Sequence, residues 1–231
     1  MINRMLRIFF PEFCPVCKKP STDHYTAPIC PDCWQKIQPY RGHICNKCGK
    51  PLVFDVTACG NCIKDEPVFK SARSFGIYEG SLKTAINIFK YHHIKRLAKP
   101  LSNIILRSEL PLVDVIIPVS LHKKRLRQKE FNQSALIAKN IAKALGIPMI
   151  VDCLIKIRDT IPQVGLSAKD RKKNIKNTFG LKKVNLIKGK NIMLVDDVYT
   201  TGATARECSK VLRKAGINDI YVITLAHSRG D

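Results

Sequence analysis

Eight cysteines in four Cys-x-x-Cys pairs constrain this chain more than any other feature: Cys14/Cys17, Cys30/Cys33, Cys45/Cys48 and Cys59/Cys62. Gaps of 12, 11 and 10 residues separate successive pairs. Each pair presents two thiolates from one tight turn, and two pairs complete a tetrahedral zinc shell. Gly49, directly after Cys48, suits a knuckle that needs positive φ. Fourfold repetition argues against thioredoxin-like redox pairs, and a reducing compartment argues against a disulfide scaffold. The pattern therefore predicts two structural zinc ions. Placing the first two pairs on one ion and the last two on the other is the simplest assignment, with a cross-braced arrangement as the alternative. Cys153 and Cys208 lie in apolar segments and read as core residues.

The compartment follows from what else the chain carries. No run approaches the length of a membrane-spanning helix, so no membrane insertion is expected. "MINRMLRIFF" has a short apolar stretch broken by Arg7, and reads as a helix docking on the domain rather than a signal peptide. A cytoplasmic protein is expected.

Residues 1–66 form a cysteine module too small to fold reliably without metal. From Pro67 onward, in residues 67–231, strands and helices alternate. "SARSFGIY" (71–78) reads as a strand and "SLKTAINIFKYHH" (81–93) as a helix with Leu82, Ile86 and Phe89 on one face. "VDVIIPV" (113–119) reads as a buried strand, and residues 132–146 as a helix opened by Asn132 and stopped at Gly146. "MIVDCLIKI" (149–157) and "IYVITLA" (220–226) complete the strands. Alternation of this kind implies an α/β fold with a mostly parallel, right-handed sheet.

One stretch carries the chemistry: "NIMLVDDVYTTGATAREC", residues 191–208. Its four-residue apolar run is a strand covered on both faces, which places Asp196 and Asp197 at the carboxyl end where open α/β sheets bind ligands. Thr200, Thr201, Gly202, Ala203 and Thr204 then lead into a helix that runs to about Ala215, before Gly216. Unpaired N–H groups at a helix N-terminus, a glycine allowing close approach and threonine hydroxyls together make a seat for one phosphate monoester. Carboxylates just before the seat would repel phosphate, but accept hydrogen bonds from hydroxyls one sugar away. That combination describes a ribose 5-phosphate site. No G-x-x-x-x-G-K-[ST] or G-x-G-x-x-G is present, so a P-loop and a dinucleotide fingerprint are excluded. A satisfied turn at a strand end accounts for one Asp and one Thr, but not for the whole run.

"IMLVDDVYTTGAT" resembles the phosphoribosyl pyrophosphate (PRPP) signature of type I phosphoribosyltransferases, and the whole chain is similar to the ComF family of competence proteins. "IPVSLHKKRLRQKEFNQS" (117–134), "PQVGLSAKDRKKNIKNTF" (162–179) and the cysteine pairs carry the wider likeness. Where the family reads Arg-Gly before Phe-Asn-Gln, this chain has Lys129-Glu130. The resemblance implies a phosphoribosyltransferase-like parallel sheet flanked by helices, with a small N-terminal double zinc ribbon. It implies ribose hydroxyls held by Asp196 and Asp197, and the 5′-phosphate by residues 200–204. Pyrophosphate would lie on the loop 118–125, with Lys123, Lys124, Arg125, Arg127 and Lys129 to neutralise it. Gln163, Leu166, Arg171 and Asn174 would belong to a flexible loop closing over the site, and Mg²⁺ would assist the departing pyrophosphate. A role in natural transformation is also implied, with single-stranded DNA as a partner beside a helicase and the competence machinery at the inner face of the membrane. No acceptor signature is present; Lys90 and Tyr91 are candidates by position alone.

Charge supports a second class of function. The formal net charge is +22, with 9 basic and 6 acidic residues in 1–66 but 31 and 12 in 67–231. With eight thiolates on two zinc ions the module falls near −1, so the positive field belongs to the remainder. Such a field suits a nucleic-acid backbone. With 7% aromatic residues, the contact would be mainly electrostatic. The two readings are a PRPP-binding module that handles DNA, and an active phosphoribosyltransferase with an unidentified acceptor and no DNA role.

Overall fold

The computed structural model describes residues 12–161 and 167–229. The segment 1–10 therefore lies outside the described residues, as do Gln163 and Leu166. Among the described residues seven strands form: β1 (Ser71–Ile77), β2 (Val115–Pro118), β3 (Leu154–Lys156), β4 (Phe179–Leu181), β5 (Ile192–Val195), β6 (Val198–Tyr199) and β7 (Ile220–His227). The main sheet is parallel throughout, in the order β1-β7-β5-β2, with β6 added at the end of β7. β3 and β4 make a separate antiparallel ribbon.

The helices are α1 (Pro31–Gln35) and α2 (Gly60–Lys64) in the cysteine module, then α3 (Gly80–Tyr91), α4 (Ala98–Ile105), α5 (Lys123–Lys129), α6 (Gln133–Leu145), α7 (Ala168–Ile175) and α8 (Ala203–Arg213). Alternation along β5 explains why it reads as a continuous apolar run. Met193 and Val195 face Ile86, Phe89, Leu101, Ile137 and Ile141 of α3, α4 and α6. Ile192 and Leu194 face Cys208 and Leu212 of α8. Each such buried aliphatic side chain stabilises the fold by roughly 1.5–3 kcal/mol. The Asn132 side chain caps α6 by accepting from the Ser134 and Ala135 amides, and Gly146 ends it at φ +66.

Residues 149–157 do not form the single strand their apolar character predicts. Met149 makes one parallel bridge to Ile116 beside β2, then the chain turns through Asp152 at φ +62 and enters the β3–β4 ribbon. Burial there is confined to Cys153 and Leu154, while Val151 and Ile157 are exposed, so the apolar run marks neither one continuous strand nor one buried face.

The two zinc-ribbon knuckles pack on opposite faces of the sheet. Cys14, Cys30 and Cys33 join the cluster that includes α3, α4 and α6, while Cys45, Cys48, Cys59 and Cys62 join the one that includes α8. The chain between them runs along the open edge of β1, where Ala72 N–H donates to Lys47 O at 2.7 Å and Tyr40 N–H to Phe75 O at 2.9 Å. An edge strand that would otherwise template aggregation is thereby covered.

Candidate functional site

Sequential pairing holds for the cysteines. Cys14, Cys17, Cys30 and Cys33 form one group and Cys45, Cys48, Cys59 and Cys62 the other, with the sulfurs of each group within 4.8 Å of one another. Cys17 and Cys30 Sγ are 3.5 Å apart and Cys48 and Cys59 Sγ 3.6 Å, close to the separation of about 3.8 Å that a tetrahedral shell with Zn–S bonds of about 2.3 Å requires. Burial pushes the Cys33 and Cys62 thiols up to about 12. Burial would also raise Cys14 and Cys45, but backbone N–H groups from Cys30 and Cys17 on the first, and Cys48 and Cys59 on the second, bring both down to about 6. Cys14 and Cys45 thus ionise readily, whereas Cys33 and Cys62 need a dication beside them to do so. Four soft donors in this geometry fit structural zinc, and Gly49 takes its expected positive φ, +71.

The aspartates stand at the carboxyl end of β5 as expected. Their backbones stay in register with β7, Asp196 N–H donating to Ile223 O and Asp197 O accepting from Leu225 N–H, both at 3.0 Å. Asp196 Oδ1 accepts from Ser134 Oγ and from Asp197 N–H, each at 2.9 Å. Burial, reinforced by the neighbouring Asp197 charge, pushes the Asp196 carboxyl up to about 7. After β6 the chain turns through Thr200 and Thr201 to Gly202, which sits at φ +75 as the cap of α8. A Cβ at 202 would strike the ring and hydroxyl of Tyr199, so glycine is required twice over. Thr201 Oγ1 accepts from Ala203 N–H at 3.4 Å, and the first helical bond runs from Arg206 N–H to Gly202 O at 2.8 Å.

Lys90 is the residue that sequence reasoning undervalued. Its Nζ lies 2.9 Å from both carboxylate oxygens of Asp197, with only 20% and 15% of the two side chains exposed. Burial alone would lower the Lys90 pKa, yet the Asp197 charge and hydrogen bond carry it above the ordinary lysine value. Ser134, in the first turn of α6, was likewise not singled out. Neither residue had a local signal, because 107 and 62 positions separate them from their aspartates.

This pairing bears on the Mg²⁺ that the resemblance implies. Both oxygens of Asp197 face an ammonium, and Asp196 is engaged by Ser134 and held toward its neutral form. The pair does not fit a protein-held divalent ion.

The remaining expected site residues divide. The stretch 123–129 is helix α5 rather than loop, and Arg125 is tied through Nη2 to Thr160 O at 3.1 Å and through Nε to Asp159 at 3.6 Å. Lys129 lies over the Tyr91 ring, 5.4 Å from its centroid. Arg171 and Asn174 stand on helix α7, capped by Ser167, not on an irregular loop; a capped, charged helix looks like a loop when read for apolar pattern alone. Asn174 Nδ2 donates to Ile161 O at 2.9 Å. Arg171 Nε is buried without a hydrogen-bond partner among the described residues.

A cleft of about 1480 Å³ opens between the second knuckle, α7 and α8. Thr200 and Thr201 line it, whereas Asp196, Asp197 and Lys90 are not among its lining residues. Ten Lys and Arg side chains line it, against Asp65 and Glu207. Among them, Arg206 donates to Asp65 O at 2.6 Å and lies 3.8 Å from Cys62 Sγ, joining the first turn of α8 to the second knuckle.

The chain matches a double zinc ribbon domain over residues 5–63. It is 36% identical over 211 residues to Competence protein F of Haemophilus influenzae, covering 87% of this chain and 90% of the relative. It is 30% identical over 227 residues to DNA utilization protein YhgH of Salmonella typhi, covering 94% and 98%. Among solved structures, glutamine PRPP amidotransferase from B. subtilis aligns at 25% identity and a TM-score of 0.39, over 55% of this chain and 25% of that one. Described residues include no helix long and apolar enough to cross a membrane. By the extent and identity of its match to Competence protein F, the chain belongs to the ComF family of competence proteins.

Proposed function

We propose that residues 67–231 form a phosphoribosyltransferase-like unit that binds PRPP, and that residues 1–66 form the metal-held module docked on it. The observation that carries this reading is the run from two aspartates at the end of β5 to a glycine-capped helix N-terminus within six residues. Asp196 and Asp197 accept hydrogen bonds from the ribose hydroxyls. Thr200, Thr201, Gly202, Ala203 and Thr204 seat the 5′-phosphate on the open end of α8. Arg125 and Lys129 face the diphosphate, and Arg171 approaches from α7. In the transferase form of this reading, the C1–O bond to pyrophosphate breaks as an acceptor bonds to C1 and gives up its proton. Calorimetry with ribose 5-phosphate tests the seat: wild type binds, and Asp196→Asn/Asp197→Asn and Thr201→Ala bind more weakly. Wild type failing to bind ribose 5-phosphate removes the reading.

A specific observation favours a DNA-handling role beside it: the cleft with ten basic side chains. The names of the relatives point the same way. Lys169, Lys172 and Lys210 line this cleft, and α8 beside it runs about 16 Å at 1.5 Å per residue. Single-stranded DNA bound there loses affinity linearly with log salt, with a slope of roughly −0.7 per phosphate neutralised. Lys169→Glu/Lys210→Glu flattens that slope; an unchanged slope moves the strand to another surface, with α5 the next candidate.

A further inference from the structure

The cation already seated on Asp197 has a consequence for metal dependence. We propose that Lys90 is a built-in cation that replaces the divalent ion at the ribose–diphosphate end of the site, so that PRPP binds without metal. The proposal rests on the PRPP reading above and adds to it which charge balances the ligand.

Lys90 is held for the task. The helix that carries it is anchored by Leu82, Ala85, Ile86 and Phe89, all buried, and its own carbonyl accepts from Gln133 Nε2 at 3.3 Å. The side chain is thus delivered from a rigid base, and its ammonium is chelated by both oxygens of Asp197 in a largely desolvated setting. An ammonium has three donors. Two directed at Asp197 leave the third for a ligand oxygen. Near it stands Lys129, whose pKa is lowered by burial first and then by the charges of Lys90 and Arg125. Lys90, Lys129 and Arg125 therefore stand close enough to repel one another, offset in part by Asp197 and Asp159, and a departing diphosphate would relieve that repulsion. A divalent ion entering the same space would meet the Lys90 charge and an Asp196 carboxyl held toward its neutral form.

The experiment compares PRPP and ribose 5-phosphate by calorimetry, each in excess Mg²⁺ and in EDTA, on wild type, Lys90→Met and Lys90→Arg. Wild type should bind PRPP equally in both buffers within about threefold, below the range of a genuine linkage. Lys90→Met should lose about 30-fold or more in EDTA and recover with Mg²⁺, and Lys90→Arg should keep the metal independence. Mn²⁺ titration followed by electron paramagnetic resonance gives a readout without PRPP: Lys90→Met should gain a Mn²⁺ site that wild type lacks. Wild type that binds ribose 5-phosphate but takes PRPP only with Mg²⁺ overturns this proposal and leaves the seat intact. Metal independence that persists in Lys90→Met also overturns it. Wild type that ignores ribose 5-phosphate removes the underlying reading and this proposal with it. Should Lys90→Met not fold, Lys90→Gln takes its place in every arm with the same expected and overturning results.

Discussion

Tyr40 donates its amide to the Phe75 carbonyl at 2.9 Å, so the chain between the two knuckles occupies the edge of β1 that no strand among the described residues covers. The module is accordingly part of the main fold's closure. A truncated chain beginning at residue 67 is expected to aggregate and to lack a cooperative thermal transition by circular dichroism. Chelating the metal from the full chain should do the same, since both four-cysteine groups sit in the clusters that cover the sheet. A soluble, cooperatively unfolding truncation would show that β1 tolerates an open edge.

Glu130 stands at φ +60, a left-handed conformation that glycine adopts without cost. A left-handed residue with a Cβ costs roughly 1–2 kcal/mol. Its ion pair with Lys95, at 3.5 Å between exposed groups, returns little of that. Glu130→Gly should therefore stabilise the protein by about 1 kcal/mol, offset in part by greater unfolded-state freedom, and raise Tm by about 2–4 °C. Scanning calorimetry reads this directly; a lowered Tm would mean that the Glu130 side chain has a partner worth more than its strain.

At the threonine turn two substitutions should separate chemistry from packing. Thr201→Ala removes one hydroxyl from a charged ligand and should weaken ribose 5-phosphate binding by about 1.5–3 kcal/mol with Tm nearly unchanged. Gly202→Val meets both a positive φ and the Tyr199 ring, and should lower Tm as well as abolish binding. Equal effects of the two on Tm would place Thr201 among the structural residues.

Asp196 gives the protein a pH signature. A carboxyl whose folded pKa rises from 3.8 to about 7 binds its proton more tightly in the native state, so this group's contribution falls as pH rises through that window and levels off above it. Asp196→Asn keeps an oxygen to accept from Ser134 Oγ and the Asp197 amide but cannot ionise. Relative to wild type it should gain about 1–3 kcal/mol above the window and little below it. Urea midpoints measured on either side decide the sign, and a wild type that gains on the variant with rising pH would contradict the burial argument.

The parts legible in the sequence were those encoded locally. Cysteine spacing placed both metal groups, Asn132 and Gly146 marked the ends of α6, and the apolar run before Asp196 marked β5 with its aspartates at the carboxyl end. Residues 149–157 misled because burial does not specify direction, and Asp152 turns the chain midway. β6 is two residues long and exists only because β7 lies alongside it. Lys90 had no signal of its own: at the end of an amphipathic helix it resembles any solvated lysine until the fold brings Asp197 to it.

The strand order carries a consequence for how the chain is made. β7 lies between β1 and β5, yet among the described strands it follows both in the chain. While a ribosome is still adding residues before 220, the knuckles and every other strand of the main sheet are already synthesised, but β1 and β5 have no strand between them. Completion of the sheet thus waits for residues 220–227, and a product that stops before them presents two unpaired inner strand edges for quality-control proteases to seize.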